Sequence, residues 1–368
     1  MAARPATRHT RERTTETAVR SPVRDLTRGS SSFRIDWDVR PAYDFIFSLS
    51  GDAGSTDDLP AADRTWLTES KAALPPDVRE PAERLFQSEA CINAAVLIVD
   101  RPAVRTAADV INAVDRAETG EVVRAMFEDN HSEPELGALL DRAIGGDGSA
   151  LPAIEELLPS WRKESRLAIL RDPERAVEEI KLVLGAWAEP FGAIEPRVTS
   201  ILERDYDSRA ADRATLAPVD LIERTTGGIR WLPEAGVRRV ILAPSYFSRP
   251  YNFVMSGNGF RMFGYPVSDE ALEATDPLAA PQAVVRLHRA LGDETRLRIL
   301  KLLAGRDLYL TEIAQLLELS KPTIKHHLAL LRSAGLVTIT ESGTVVYYSL
   351  RRNRLDDASA EIKRFLIG

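Results

Sequence analysis

Apolar residues recur every three to four positions through most of residues 41–225, and this period predicts a series of amphipathic helices. Between residues 228 and 265 the period falls to two, in four short runs separated by turn-forming residues. Those runs predict the strands of a small, mostly antiparallel sheet. The expected fold class is therefore mainly α with small antiparallel β elements.

Polar residues at the ends of the apolar runs predict where several helices begin. Thr106 is placed to cap a helix over 107–117, and Asp172 precedes a proline at the start of another. The apolar stripe of that second helix ends at Trp187, and a separate helix is predicted over 195–211. No segment repeats at a fixed period, so we do not expect a solenoid.

The clearest pattern lies in residues 310–350, where two short helical runs are followed by two strand-like runs. The first helix would begin with Thr311 as its N-cap, and the second with Ser320 as its N-cap. Gly335 lies where the end of a helix favours a left-handed residue. The strand-like runs on either side of 341–344 predict a β-hairpin.

In the second helix Ile324, Leu328 and Leu331 recur at helical spacing and would form one buried stripe. Polar and basic side chains then remain on its other faces, mainly near its N-terminal end. Lysines can reach phosphates or guanine edges, whereas threonine and histidine are short enough to contact base edges. We therefore predict a DNA-binding face formed by Ser320, Lys321, Thr323, Lys325, His326 and Arg332, with Ser342 and Thr344 at the tip of the hairpin.

Residues 282–352 resemble the winged-helix repressors of the ArsR type. The resemblance is carried, in order, by LGDETRLRILKLL, LTEIAQLLELSKPTIKHHLALLRSAGLV and VVYYSL, and it covers roughly the last quarter of the chain. It implies a winged helix-turn-helix domain whose second helix enters the major groove of DNA. It also implies a two-fold dimer with recognition helices about 34 Å apart, which requires an inverted-repeat operator. An amphipathic helical hairpin without a DNA role is the alternative.

These patterns divide the chain into four parts. Residues 1–32 are rich in arginine, threonine and serine, and we expect a disordered basic tail there. Residues 33–265, called the body below, would form a larger helical regulatory domain that ends in the small β-sheet at about 228–265. Residues 266–281 would link the body to residues 282–368, called the C-terminal module below, which would end in a dimerisation helix.

The distribution of charge agrees with this division. The chain has a net charge of −7, yet residues 281–368 carry 14 Lys and Arg against 9 Asp and Glu. Residues 1–33 are also basic, with 7 against 3, so the acidic excess lies between these two segments. A basic module on an acidic body indicates a localised surface for nucleic acid.

The body contains no recognisable catalytic or metal-binding motif. Its single histidine, His131, has no second histidine or cysteine at ligand spacing, and the chain has one cysteine, Cys91. ArsR-type metal sensors carry cysteines where this chain has residues 308–313, which contain none, and the C-terminal helix contains no histidine. We therefore predict no catalytic residue, no cofactor and no metal site, and we do not expect an enzyme.

Aromatic residues concentrate near the end of the body, as in the walls of many small-molecule sites. The candidate effector pocket consists of Tyr246, Phe247, Arg249, Tyr251, Asn252, Phe253 and Phe263. The alternative is that these rings close the hydrophobic core between sheet and helices, or form a subunit contact. We weigh that alternative above the pocket.

The sequence as a whole predicts a cytoplasmic, nucleoid-associated transcriptional regulator. We expect a repressor that binds double-stranded DNA as a homodimer and that responds, through its body, to an unidentified small molecule or protein. Alternatively, the body is a protein-interaction or dimerisation scaffold without a small-molecule effector, and an enzymatic body is the third hypothesis. No run of about 18 apolar residues occurs and the N-terminus lacks the apolar core of a signal peptide, so we expect no membrane partner.

Overall fold

A computed structural model describes residues 32–87, 92–127, 134–158, 163–272, 281–342 and 345–367 of the chain. All but the last residue of the predicted basic tail therefore lies outside the described residues. The described residues form mostly helices, with two small sheets, and the predicted fold class is confirmed.

The helices and strands are numbered in chain order. The helices are α1 Pro41–Phe47, α2 Ala61–Ala73, α3 Pro76–Ala82, α4 Val96–Val99, α5 Ala107–Arg116, α6 Thr119–Met126, α7 Pro134–Ile144, α8 Leu151–Leu157, α9 Lys163–Arg171, α10 Pro173–Ser208, α11 Ala210–Thr215, α12 Pro218–Thr225, α13 Gln282–Leu291, α14 Glu294–Leu303, α15 Leu310–Leu317, α16 Lys321–Ser333 and α17 Arg352–Ile367. The strands are β1 Arg34–Trp37, β2 Ile229–Trp231, β3 Arg239–Ser245, β4 Phe253–Gly257, β5 Phe260–Pro266, β6 Leu308–Tyr309, β7 Val337–Ser342 and β8 Val345–Leu350.

The long helix α10 is the centre of the body, and α1, α3, α5 and α6 pack around it. Its N-cap is Asp172, as predicted, because the Asp172 carboxylate accepts a hydrogen bond from the Arg175 backbone N–H at 3.2 Å. The sequence predicted two helices here, and that was wrong: α10 is one helix of 36 residues that continues through Pro190 and Pro196. Its buried apolar stripe is continuous across both prolines, so packing against the body outweighs the local cost of each proline.

The sheet of the body has the strand order β1-β3-β5-β4. Strand β1 is parallel to β3 and β3 is parallel to β5, whereas only β4 and β5 are antiparallel. The expectation of a mostly antiparallel sheet was therefore wrong. Alternation of apolar residues reports which face of a strand is buried but carries no information about the direction of its neighbour.

Strand β2 belongs to a different sheet from the one that the sequence predicted. It pairs in parallel with β7 of the C-terminal module, with Ile229 opposite Ile339, in a sheet of order β2-β7-β8-β6. The Ile339 backbone N–H also donates to the Gly228 carbonyl oxygen at 2.9 Å. The body thus contributes a strand to the sheet that contains the β7–β8 hairpin, which is the wing of a winged helix.

The C-terminal module has a hydrophobic core of its own. That core contains Leu287, Ile299, Ile313, Leu317, Ile324, Leu328, Leu331 and Leu336. Helix α15 begins at Leu310 with Tyr309 as its N-cap, two residues before the predicted N-cap Thr311, so that prediction was wrong. The Glu312 carboxylate accepts from the Tyr309 backbone N–H at 2.9 Å. Gly335 has a φ of 73°, which confirms the left-handed residue predicted after α16.

Part of the predicted linker is packed rather than extended. Val267 and Ala271 are buried, and the Ser268 backbone N–H donates to the Asp205 carboxylate at 2.7 Å. Residues 273–280 lie outside the described residues. Among the described helices, none is both long enough and apolar enough to cross a membrane.

Candidate nucleic-acid interface

Helix α16 is the helix that the sequence predicted to enter the major groove, and it is called the recognition helix below. The Ser320 hydroxyl accepts a hydrogen bond from the Thr323 backbone N–H at 3.3 Å, which confirms Ser320 as the N-cap. A proline occupies the first turn, where a missing N–H costs little. Ile324, Leu328 and Leu331 are buried, so the stripe predicted from their spacing anchors the helix on the module core.

The N-terminal end of the recognition helix is open to solvent. Lys321, Thr323, Lys325 and His326 are all exposed, together with Ser320. This end therefore presents two cationic side chains and three short polar ones on a rigid element. Such a combination suits contacts to phosphates and base edges, while the helix N-terminus itself favours anions.

The remaining predicted DNA contacts lie elsewhere. Arg332 is half-buried near the C-terminal end of α16, on the side that approaches the body. Ser342 ends strand β7, but its side chain, like the whole of Thr344, lies outside the described residues. A DNA-binding role for each of the eight residues stays a prediction.

The adjacent histidine, His327, faces inward. Its Nδ1 atom is 3.8 Å from the Asp293 carboxylate and has no hydrogen-bond partner among the described residues. Burial lowers the pKa of His327, although the negative charge of Asp293 opposes that effect. His327 is therefore a neutral packing residue at neutral pH, and His326 is the histidine on the exposed side.

The body approaches the recognition helix across a cavity of about 440 Å³, which extends along the helix from Pro322 in its first turn to Arg332 near its end. On the helix side the cavity is lined by Lys325, Ala329 and Arg332, and on the body side Asp52 and Asn93 contribute. Three members of the candidate effector pocket, Tyr251, Asn252 and Phe253, line the same cavity.

The other four members of that pocket lie elsewhere. Tyr246 and Phe247 are buried in the main core of the body, and Phe263 is buried in a second apolar cluster. Arg249 is buried, and its guanidinium already has partners within the protein. Its Nε donates to the Asp58 carbonyl oxygen at 3.0 Å, and it forms an ion pair with Asp269. The structure therefore does not bring the seven residues into one pocket, and their role in effector binding stays a prediction.

Tyr246 illustrates why these rings are buried. Its hydroxyl donates to the carboxylate of Asp63, which also forms two hydrogen bonds with Arg197 at 2.7 and 2.5 Å. Burial raises the pKa of Tyr246 far above its usual range, and the neighbouring Asp63 charge adds to the effect. Tyr246 is thus a core residue whose hydroxyl has a hydrogen-bond partner, and its contacts join α2 and α10 to the sheet of the body.

Ion pairs hold the C-terminal module on the body, and sequence reasoning missed them. Arg286 of α13 donates to Asp58 at 2.8 Å and to Asp269 at 2.6 Å, and Arg289 donates to Asp57 at 2.7 Å. Burial would raise the pKa of Asp269, but the positive charges of Arg286 and Arg249 outweigh it and hold that pKa below its usual value. The pairs with Asp57 and Asp58 join residues more than 200 positions apart, so only the doubled aspartates of one loop and the i, i+3 arginines could have pointed to them.

The described part of the chain bears on the prediction that no metal site is present. There, no group of three or more His, Cys, Asp and Glu side chains is arranged to hold a metal ion. Cys91 and His131 lie outside the described residues. The absence of a metal site therefore stays a prediction.

Comparison with known proteins identifies the C-terminal module. A family model for the arsR family of bacterial regulatory proteins matches residues 293–338, from the N-cap of α14 into β7. The transcriptional repressor SdpR of Bacillus subtilis is 40% identical over 70 residues, which is 19% of this chain and 78% of SdpR. The chain belongs to the arsR family.

Other arsR-family relatives match the same part of the chain. The HTH-type transcriptional regulator CmtR of Mycobacterium tuberculosis is 38% identical over 85 residues, 23% of this chain and 72% of CmtR. A homologue of the cadmium resistance transcriptional regulatory protein CadC from Staphylococcus aureus is 37% identical over 71 residues, 19% of this chain and 59% of that protein. These matches cover about a fifth of the chain, so they describe the C-terminal module and not the body.

Proposed function

We propose that this arsR-family protein is a transcriptional repressor that binds an inverted-repeat operator as a homodimer, with a DNA affinity set by its body. The observation that carries the proposal is the exposed cationic end of α16, held rigidly by the buried stripe of Ile324, Leu328 and Leu331. A role on DNA would place the protein at the nucleoid in the cytoplasm, and that location is part of the proposal.

The terminal helix supports the dimer. On α17, Leu355, Phe365 and Leu366 are exposed, and Leu366 retains 69% of its accessible surface. Helix α13 packs against α17, so both helices would take part in such a contact. Covering these apolar side chains with a second copy of the same face would remove them from water and set two recognition helices in two-fold symmetry.

Modulation through the body is supported by the contacts between body and module. Strand β2 is paired with β7, and Arg286 and Arg289 are paired with Asp58 and Asp57. Because these contacts fix the module on the body, a change in the body alters the orientation of α16. A ligand that prefers one orientation would then change operator affinity by the difference between its affinities for the two states.

A second hypothesis is that the body is a scaffold for protein interaction or dimerisation, without a small-molecule effector. The burial of Tyr246, Phe247 and Phe263 in apolar clusters favours it over an effector pocket built from those rings. Thermal unfolding in the presence of a metabolite library separates the two hypotheses. A specific rise in the melting temperature supports an effector, whereas a body that no compound stabilises supports the scaffold.

Selection of DNA tests the proposal directly. The full chain is incubated with a pool of random duplexes, and the bound fraction is sequenced after several rounds. We expect enrichment of an inverted repeat with half-site centres about one helical turn apart. Enrichment of a single half-site would contradict the dimer, and no enrichment over the input pool would contradict the DNA-binding role.

A further inference from the structure

A second cleft, of about 200 Å³, lies at the junction of the body and the C-terminal module, away from the exposed end of α16. The body contributes the end of α10 and the end of α12, and the segment after β5 adds Ser268. The module contributes α13, the end of α16 and the residue that follows β8. Since α16 has 13 residues, its exposed N-terminal end is about 20 Å from the end that borders this cleft.

The cleft is strongly positive. Five arginines from five separate elements line it, and none of its described lining residues is acidic. These arginines are Arg209, Arg224, Arg286, Arg332 and Arg351. Focused positive charge between low-dielectric walls attracts small anions.

Carboxylates outside the cleft offset part of this charge but not all of it. Arg209 is paired with Asp205 at 2.8 Å, Arg224 with Asp212 at 3.6 Å, and Arg286 with Asp58 and Asp269. Arg351, in contrast, makes no ion pair with any described residue. The negative charge of Glu223 acts on Arg351, but the Glu223 carboxylate forms its ion pair with Arg230, at 2.8 Å. Burial lowers the pKa of Arg351, and the positive charges of Arg224, Arg354 and Arg230 add to that effect.

Hydrogen-bond donors that lack partners surround the same cleft. The Thr225 hydroxyl, the Ser268 hydroxyl and Arg286 Nε are buried, and none has a hydrogen-bond partner among the described residues. Thr225 is only 3% exposed. The amide oxygen of Asn252, which also lines the cleft, likewise has no partner among the described residues. Buried polar groups are almost always satisfied, so these unpaired atoms around one cleft indicate a missing hydrogen-bonding ligand. A water molecule could satisfy a hydroxyl, but it would not balance the charge.

We propose that this junction cleft binds the phosphate group of a small phosphorylated metabolite. A phosphate offers several acceptor oxygens to the unpaired donors and a negative charge to the arginines, whose planar forks match its geometry. The cleft is smaller than the usual range of about 300–1,000 Å³ for drug-sized ligands, which favours a compact anion.

The position of the cleft gives the ligand a way to act on DNA binding, and this step rests on the proposed function. Arg209 and Thr225 belong to the body, whereas Arg286 and Arg351 belong to the module. A bound phosphate would therefore bridge the two parts and favour the arrangement in which they are together. The operator affinity would then change by the ratio of the phosphate affinities of the two arrangements, if only one of them binds the operator well.

Isothermal titration calorimetry of the full chain with inorganic phosphate, glycerol phosphate and acetate, in a buffer free of other oxyanions, tests the site. We expect both phosphates to bind, and acetate to bind at least 10-fold more weakly. Arg351→Ala should weaken phosphate binding by about 10-fold or more, and Thr225→Val by several-fold, because each removes a contact to the anion. Arg116→Ala, which removes an exposed arginine from the body, is the matched control and should bind like the wild type.

Three calorimetric results would overturn the proposal: no heat with either phosphate, equal affinity for acetate, or unchanged binding in both Arg351→Ala and Thr225→Val. Thermal unfolding confirms that each variant is folded, and the isosteric Thr225→Val keeps the test valid if Arg351→Ala is unstable. An operator-binding titration with and without phosphate then tests the coupling. A loss of DNA affinity in Arg351→Ala without phosphate would assign this arginine to DNA and contradict the metabolite site.

The titration also separates the two proposals. Calorimetric binding together with unchanged operator affinity supports the site and contradicts its coupling to DNA. Absence of DNA binding under every condition contradicts the proposed function, while the calorimetric result for the cleft stands on its own.

Discussion

At the scale of single residues, the recognition helix combines an anchored side and an open end. The sequence allowed this arrangement to be predicted because Ser320, Ile324, Leu328 and Leu331 report it through local spacing and capping alone. The carboxylate partners of Arg286 could not be predicted in the same way, since Asp58 lies 228 positions away in the sequence and the pairing with Asp269 depends on how the intervening segment folds. Local rules describe a helix, whereas long-range ion pairs depend on the finished fold.

Lys321→Ala and Lys325→Ala should each weaken DNA binding and reduce the slope of log affinity against log salt by about one, because each removes one phosphate contact. Fluorescence anisotropy at several salt concentrations measures both quantities. Lys301→Ala, which removes an exposed lysine from α14, is the control and should leave the slope unchanged. Wild-type affinity and slope in both lysine variants would show that the DNA-binding face lies elsewhere.

Leu328→Ala should destabilise the C-terminal module by roughly 2–5 kcal/mol, because Leu328 is 1% exposed in the module core and its truncation leaves a cavity. Denaturant unfolding followed by circular dichroism gives the free energy of unfolding. Leu316→Ala is the matched control, since Leu316 is 52% exposed on α15 and should change stability little. Equal losses in the two variants would contradict the burial of the stripe.

Asp44 predicts a pH dependence of stability. Its carboxylate accepts from Ser245 Oγ at 2.6 Å and from the backbone N–H groups of Tyr246 and Phe247 at 3.0 Å, yet complete burial raises its pKa to about 6. The unfolded chain has a pKa near 3.9 at this residue, so the folded state holds the proton more tightly between about pH 4 and 6. The contribution of Asp44 to stability should therefore fall as the pH rises through that window.

The Asp44 prediction is measured as the difference in unfolding free energy between the wild type and Asp44→Asn, taken at intervals from pH 4 to 7. The difference should decrease with rising pH up to about pH 6 and then level off. A difference that does not vary with pH would show that the carboxyl group titrates as in the unfolded chain.

At the scale of elements, the main departures from prediction involve partners that are far apart in sequence. Strand β2 was recognised as a strand, but its partner β7 begins more than 100 residues later and in another predicted domain. Helix α10 was divided at its prolines because the local penalty is visible in the sequence, whereas the packing that overrides it is not. The residue pattern predicts whether a segment forms a strand, but which strand it pairs with depends on the fold of the whole chain.

Gly228→Val should separate β2 from β7. Gly228 has a φ of 120°, and a Cβ atom there would lie 3.2 Å from Thr338 Cγ2. Hydrogen exchange measured by mass spectrometry should show faster exchange across residues 337–341. Gly236→Ala is the control, because Gly236 also has a positive φ, of 88°, but a Cβ atom there would meet no neighbouring group within 4 Å. Exchange that is equally slow in both variants would contradict the role of this pairing in joining body and module.

At the scale of the whole molecule, a basic DNA-binding module is attached to an acidic body by a shared sheet and by ion pairs. The charge division was visible in the sequence, but the attachment was not. It has a functional consequence, because the cavity toward the body runs along α16 from Pro322 to Arg332, whereas Lys321 and Thr323 of its first turn are exposed and do not line that cavity. The acidic body would repel DNA from that side and restrict the duplex to the exposed end of the helix.

The most direct test of the central claim, that the exposed end of α16 binds duplex DNA, is a titration of the purified full chain against its selected duplex at low and at moderate salt. The account predicts binding at low salt that weakens steeply as salt rises, with two protein chains per inverted repeat. A chain that does not bind duplex DNA even at low salt would contradict it.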